Sequence, residues 1–270
     1  KSGGLEFLAK IPSLERRRLH LTRDYHTWPD LRLLHLRLNV QSSPTANPHL
    51  RKAIAYAIDK RKLLEIYDHG YTPATSLVPP GMLGYDKKGG TGYNLKKAKQ
   101  ELMLSGLNSK TLPPLDLLTV SFDDQIILAQ FIQSELKKNL NLNVRIHVLE
   151  PKRYYSPQLN HQDYSMQINF WGADFPDADN FYSIFLSDTR LNRYHWENSE
   201  YDELVHDARS MADTKARAAA YKKAQSILLE SAVATVPLYY GRMHGLIQSK
   251  VKGFKSGAMN WWIFKDLSIE

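Results

Sequence analysis

Residues 115–149 set the tightest limit on what this chain folds into. Leu115–Val120 is an apolar run with strand character. Asp123–Asn139 is a helix with Ile127, Phe131 and Leu136 among its apolar positions, and Leu142–Leu149 alternates through Val144, Ile146 and Val148. A strand, a long helix and a strand in this order form a βαβ unit, with a right-handed crossover and parallel strands. A further strand is expected over 164–171, where Tyr164, Met166, Ile168 and Phe170 alternate, in the same sheet. The class is α/β.

The flanking segments supply more elements. Leu34, Leu36, Leu38 and Val40 mark a half-buried strand at 31–40, broken by Ser42-Ser43-Pro44. Asn47-Pro48 is a helix start, with Asn as N-cap and Pro at the first helical position. Asp59 caps a short helix from Lys60 to Tyr67 that stops at Gly70. Residues 72–93 form a Pro/Gly-rich loop, and Asn94 caps a helix to Ser105, stopped by Gly106. Helices are expected near 152–160, at 179–186, at Ser199–Met211 behind Asn198, and from Thr214 to Glu230 behind Asp213. Pro237–Tyr240 and Gly245–Gln248 read as two strands, and Trp261-Trp262-Ile263-Phe264 as an apolar strand that needs a partner surface.

The 270 residues, 43% of them hydrophobic, allow a sizeable core in one large domain or two modest ones. The net charge of +8 comes from scattered basic doublets and triplets such as Arg16-Arg17-Arg18 and Lys137-Lys138. These read as solvated faces, so no nucleic-acid partner is expected. The absence of Cys excludes disulfides, thiolate metal sites and cysteine nucleophiles. No apolar run approaches the roughly 20 residues of a membrane helix. The ten His residues are dispersed, and no phosphate loop, dinucleotide fingerprint or hydrolase elbow occurs, so no catalytic residue, metal or cofactor is assigned. The opening Lys1-Ser2-Gly3-Gly4 reads as mid-sequence, and a fragment or processed chain is expected.

The chemistry concentrates at Phe170-Trp171-Gly172-Ala173-Asp174-Phe175-Pro176-Asp177, followed by Asp179. In this basic chain residues 172–189 contain no Lys or Arg. Carboxylates beside a Trp and a bare Gly backbone suit a cationic group on an extended ligand, not a phosphate. Asp174 reads equally as a ligand carboxylate and as a turn former or cap for the helix near Asp179. Trp171 is either an apolar wall for a ligand or a core residue at a strand end. Phe170 and Gly172 matter through backbone N–H and C=O groups that an extended peptide can pair with. Asp177 reads as a turn or helix-cap residue, and the D-x-x-D-x-D spacing lacks the Gly and terminal Glu of a calcium loop.

The order of motifs resembles the periplasmic oligopeptide and dipeptide binding proteins of ABC transporters. Leu36-Arg37-Leu38-Asn39 is similar to that family's strand ending in Asn. His49 to Lys60 (HLRKAIAYAIDK) resembles its "R-x-A-x-x-x-A-I-D-[RK]" helix pair, and Val78-Pro79-Pro80 its Pro-rich stretch. Trp171 to Asp177 is similar to "W-x-A-D-Y-x-[DE]-P", Asn192 to Leu204 to "N…-[WY]-x-[ND]-x-x-[YF]-D-x-L", and Val236 to Tyr239 to "x-P-L-Y". Ala178 departs from the Pro many members have, and Ile168 from an Arg that some oligopeptide binders carry near the acidic loop.

The resemblance runs from about Leu5 to Phe264 but covers only the second half of a typical member. It implies a mixed sheet with helices on both faces, the C-terminal lobe of a two-lobed, Venus-flytrap type binding protein. Residues 1–40 would be crossing strands from the other lobe, 41–240 the α/β lobe, and 241–270 return strands. The implied function is extracytoplasmic capture of peptides or similar cationic solutes for ABC permease subunits, without chemistry. The implied location is the periplasm, or the outer cell surface with a lipid anchor in a Gram-positive organism. The implied ligand-binding residues are Asp174, Trp171, Gly172, Phe170, Asn39, Asn192 and Tyr194, with Asp174 pairing with a ligand α-ammonium. A solute-sensing lobe of a transcriptional regulator is the alternative. An enzyme using Asp174 and Asp177 ranks last, because two carboxylates on one loop make a poor opposed pair.

Overall fold

The structure, a computed structural model, describes residues 5–9, 11–67, 71–259 and 262–270. Its elements in chain order are β1 (Phe7–Leu8), α1 (Ser13–Leu19), β2 (Tyr25–Leu38), α2 (Pro48–Ala57), α3 (Lys60–Tyr67), β3 (Thr72–Pro73), α4 (Leu95–Leu104), β4 (Leu115–Val120), α5 (Asp123–Leu140), β5 (Val144–Leu149), α6 (Pro151–Tyr154), β6 (Met166–Gly172), α7 (Asp179–Tyr182), α8 (Ser199–Ser210), α9 (Thr214–Ser226) and β7 (Thr235–Ile247). Four two-residue strands close the chain, 251–252 with 268–269 and 255–256 with 262–263.

Strand β2 is the spine. It pairs antiparallel with β7 on one side and with β6 on the other, and the sheet continues through β4 to β5. The βαβ unit forms as its spacing predicts: β4 and β5 are parallel, from Leu115 opposite Val144 to Val120 opposite Leu149, and β6 joins them through β4. The sheet is therefore mixed.

Alternation on β2 builds a core on each face. Leu34, Leu36 and Leu38 turn to one side and pack with Ile54 of α2, Ala98 of α4 and Ile132 of α5. Leu33 turns to the other, into a second cluster with Trp171, Tyr182 of α7, Tyr201 of α8 and Tyr221 of α9. Burying each large aliphatic side chain contributes about 1.5–3 kcal/mol relative to leaving it exposed. The helices thus cover both faces, which lets parallel strands sit inside the sheet.

Side-chain caps fix the helix starts. Asn47, Asn94, Asn198 and Asp213 each accept from first-turn N–H groups. Asp59 Oδ1 accepts from Arg61 N–H at 3.1 Å, whereas Gly70 lies outside the described residues. Four expectations need correction. The strand at 31–40 starts earlier, at Tyr25, with a register shift between Pro29 and Leu33 that accommodates the proline. The two strands at 237–240 and 245–248 are one, β7, carried through Gly241 and Gly245. The helix near 152–160 is a single turn, and α9 ends at Ser226 in a π-turn over Ile227–Ser231.

Candidate functional site

The C-terminal end of β6 is an open sheet edge. Asn39 N–H donates to Ser165 O at 2.9 Å and Ala173 N–H to Leu31 O at 2.8 Å, one at each end of the β2–β6 ladder. Both bonds share one phase, so Gln167, Asn169 and Trp171 turn their backbone polar groups toward β2. Ile168, Phe170 and Gly172 turn theirs to the opposite edge, where β4 pairs only as far as Gln167. The Ile168 carbonyl accepts from the Tyr154 hydroxyl, and Phe170 N–H donates to Asn169 Oδ1 at 2.9 Å. Beyond them no strand lies along this edge among the described residues, so the Phe170 C=O and the Gly172 N–H and C=O face outward. Among the described residues a Cβ on Gly172 would meet only Arg32 Nε, at 3.8 Å, so none of them requires glycine there.

Phe170 and Trp171 point to opposite faces. The Phe170 ring packs against the first core, with the Arg32 guanidinium 5.2 Å from its centroid. Trp171 packs into the second core, and its Nε1 donates to Asn180 Oδ1 at 2.9 Å. The same oxygen accepts Asp174 N–H at 3.2 Å. Asn180, 5% exposed, thus ties the strand end to the acidic loop. Sequence reasoning missed it, because an Asn inside a helical stretch carries no signal of partners six and nine residues upstream.

The three loop carboxylates divide into two kinds. Asp177 receives both terminal nitrogens of Arg217, at 2.8 and 2.9 Å, and the N–H of Asp179 at 2.8 Å. Partial burial pushes the Asp177 carboxyl up, but these bonds outweigh it and hold it below the ordinary carboxylate value. Asp179 pairs with Arg209 at 2.7 Å. Asp174 is exposed, and its carboxylate has no ion-pair or hydrogen-bond partner among the described residues. It does not cap α7, whose N-cap position is Ala178.

The remaining sequence candidates are buried elsewhere. Asn39 donates to Gln162 O and Tyr164 O, and its Oδ1 accepts from Gln41 and Ser42 N–H, a full set of bonds that anchors the end of β2. Asn192 closes a turn by donating to Leu186 O and Trp196 O and accepting Trp196 N–H. Tyr194 is 3% exposed. The structure therefore brings Phe170, Gly172 and Asp174 together at the strand end and sets Asn39, Asn192 and Tyr194 apart from it.

A cavity of about 780 Å³ opens beside Phe170 on the α5 face. Leu34, Phe170 and Tyr239 give it apolar walls, and Asp30, Arg32 and Arg242 give it charge. The Asp30–Arg32 pair is 3.2 Å apart, and Arg16 meets Asp124 at 3.4 Å across the mouth. Burial raises the Asp30 carboxyl, opposed by Arg32, and raises the Tyr71 hydroxyl to about 12. Gly241 makes room for the pair, since a Cβ there would stand 3.0 Å from Arg32 Cβ and 3.2 Å from Asp30 Oδ2. Balanced charges over an apolar floor suit a solute with both polar and apolar parts rather than a polyanion. Asp174 does not line this cavity. Among the described residues no group of three or more His, Asp or Glu could hold a metal, and no helix is long and apolar enough to cross a membrane.

Comparison with known proteins adds a lineage. The oligopeptide-binding protein OppA of Bacillus subtilis (strain 168) is 28% identical over 243 residues, covering 86% of this chain and 44% of its own length. The dipeptide-binding protein DppE of the same organism is 29% identical over 228 residues, covering 80% and 41%. Among solved structures, the Escherichia coli murein tripeptide binding protein MppA superimposes with a TM-score of 0.87 at 23% identity, over 99% of this chain and 54% of that one. A periplasmic oligopeptide-binding protein from Borrelia burgdorferi, OppAIV, gives 0.86 at 26% identity, over 98% and 54%. The chain spans about half the length of these relatives. Residues 1–193 match the sequence profile of the bacterial extracellular solute-binding proteins, family 5 (middle), and the chain belongs to that family.

Proposed function

We propose that this chain is the large lobe of an extracytoplasmic solute-binding protein that captures peptides, or similar solutes with a free ammonium group, and passes them to an ABC permease without chemistry. The lobe comprises residues 41–240 together with β2, its central strand, and the end of β7, and the segments before β2 and after β7 connect it to a second lobe that closes over the ligand. The observation that carries this reading is the open edge at Phe170–Gly172 with the unpaired Asp174 two residues beyond it. An extended peptide adds to such an edge through main-chain bonds that ignore sequence, which suits a carrier of varied peptides. The Asp174 carboxylate then meets the terminal ammonium, and the adjoining cavity takes a side chain. The names of the relatives, an oligopeptide-binding and a dipeptide-binding protein among them, support the ligand class.

With one lobe alone the ligand stays half in water, so this chain by itself should bind peptides more weakly than the two-lobed protein. Hydrogen exchange tests the pairing mode. In the two-lobed protein a bound tripeptide should protect the Gly172 amide, which has no partner in this sheet edge. Peptide binding that leaves Gly172 exchange unchanged would exclude pairing at this edge.

A further inference from the structure

A second polar cluster lies on the other face of the sheet, and it is unbalanced in charge. Arg37 stands directly across the β2–β6 ladder from Gln167, and both side chains are buried, at 5% and 1% exposure. The segment 191–196 folds over them. Arg37 Nη1 donates to Leu191 O at 2.6 Å, and its guanidinium lies 5.2 Å from the centre of the Phe185 ring. A second guanidinium, Arg193, donates to His161 Nε2. Tyr154, Tyr194 and Arg193 act on Arg37, and Arg37 in turn acts on His35 and His161; none of these is a carboxylate. Neither Arg37 nor Arg193 forms an ion pair among the described residues.

The cluster also holds donors with nothing to donate to. Arg37 Nε and the Tyr194 hydroxyl are buried without a partner. His161 accepts from Arg193 at Nε2, so the neutral ring carries its proton on Nδ1, which is buried and unpartnered as well. Burial, with Arg193 and Arg37 beside it, lowers the His161 imidazole to about 4, so it stays neutral at pH 7. Tyr154 is already engaged, accepting from Gln167 Nε2 at 3.0 Å and donating to the Ile168 carbonyl. The buried acceptors left unpaired on this face among the described residues, Gln167 Oε1 and His35 Nε2, are neutral and offset no charge.

A buried guanidinium without a counter-charge costs several kcal/mol, and arginine does not escape by losing its proton. Elsewhere Arg16 is matched by Asp124, Arg32 by Asp30 and Arg217 by Asp177, and the buried Arg51, without a carboxylate, has its Nε and Nη1 met by the Ala232, Thr45 and Ala46 carbonyls; Arg37 differs in having neither a carboxylate nor an acceptor at Nε. Water satisfies donors but offsets no charge.

We propose that Arg37, Arg193 and the Tyr194 hydroxyl hold a small monovalent anion of the chloride class. The site is separate from the solute site, on the opposite face of the sheet from Phe170. It pins segment 191–196 to β2 and β6, so the anion acts as a structural cross-link, not as cargo.

The test uses the 270-residue chain and two probes, chloride for stability and bromide for location. Thermal unfolding is followed as chloride replaces gluconate at constant ionic strength. The wild type should gain several degrees in Tm, with saturation, as expected for an ion that binds only the folded state. Arg37→Met should abolish the chloride dependence. Tyr194→Phe keeps the ring and the packing and guards against misfolding of the first variant, and it should raise the half-saturating chloride concentration several-fold. Crystals soaked in bromide should show an anomalous peak between Arg37 and Tyr194. A wild-type Tm indifferent to chloride, an undiminished chloride response in both variants, or bromide confined to the surface with water in the cluster (an adventitious ion only) would each overturn the proposal.

Discussion

Replacing Arg217 with Met tests how the acidic loop is held. Arg217 grips Asp177 through two bonds, donates Nε to Ala208 O at 2.8 Å, and lies 5.4 Å from the Tyr221 ring centre. Met keeps the apolar stem and removes these contacts, along with the 3.2 Å bond from Arg217 Nη2 to the Tyr221 hydroxyl. The Asp177 side chain is 35% exposed and that of Arg217 20%, so water screens the pair and it ranks far below a buried one. After that discount the loss is about 1–2 kcal/mol at pH 7. For a chain of this size that is a fall in Tm of roughly 2–8 °C.

The pH dependence carries a sign. Asp177 sits below its ordinary carboxyl value in the folded state, despite the opposing push of burial, because Arg217 and the Asp179 N–H favour the charged form. Its contribution is therefore complete above the unfolded carboxyl range and is lost as pH falls through the folded value. Urea unfolding should show a gap between wild type and Arg217→Met at pH 7 that narrows as pH falls through the folded Asp177 value, below the ordinary carboxyl range. A gap that is absent at pH 7, or that persists unchanged in acid, would refute the assignment of Asp177 and Arg217 as the clasp of this loop.

Other expectations follow from the cores and from one buried cation. Leu36→Ala, at a fully buried position, should lower stability by about 2–5 kcal/mol in urea unfolding. Lys60 is buried with Ala74 O as its only acceptor among the described residues, at 2.9 Å, and burial brings its ammonium down to about 7. Between that value and the unfolded one near 10, the unfolded chain binds more protons, so stability rises with pH there. Lys60→Met should thus raise Tm at pH 6, with a gain that shrinks toward pH 10, and an equal gain at both pH values would contradict this. In calorimetry the 270-residue chain alone should bind free peptides more weakly than micromolar, and tighter binding would remove the need for a second lobe.

Much of the architecture was legible because it rests on local chemistry. Asn47, Asn94, Asn198 and Asp213 cap as their spacing says, and the βαβ unit follows from strand length and helix period. Strand β7 was split in two because Gly241 and Gly245 read as breaks. Both glycines are there for neighbours distant in sequence, Asp30 and Arg32 at the first, Trp28 and the Leu8 carbonyl at the second. At the site, the carboxylates could be seen but not sorted. Asp177 and Asp179 find Arg217 and Arg209 forty and thirty residues away, which only the packing of α8 and α9 against the loop reveals. The cavity was invisible for the same reason, since its walls come from Ile11, Asp30, Tyr71, Asp124 and His244 at once. Asn39, Asn192 and Tyr194 entered through the family resemblance; the two asparagines bond within the fold and Tyr194 is buried, which the motifs do not encode.

The central claim is that the Asp174 carboxylate recognises a ligand ammonium beside the open end of β6. The most direct measurement is the affinity of wild type and Asp174→Asn, in the two-lobed protein, for one peptide with a free amino terminus and for its N-acetylated form. Asn keeps the shape and hydrogen-bonding ability and removes the charge. Once closure has buried the pair, the substitution should weaken the free-amine peptide by roughly 2–5 kcal/mol, and the acetylated peptide much less. Equal affinity of both proteins for the free-amine peptide would contradict the account and leave Asp174 an exposed loop residue.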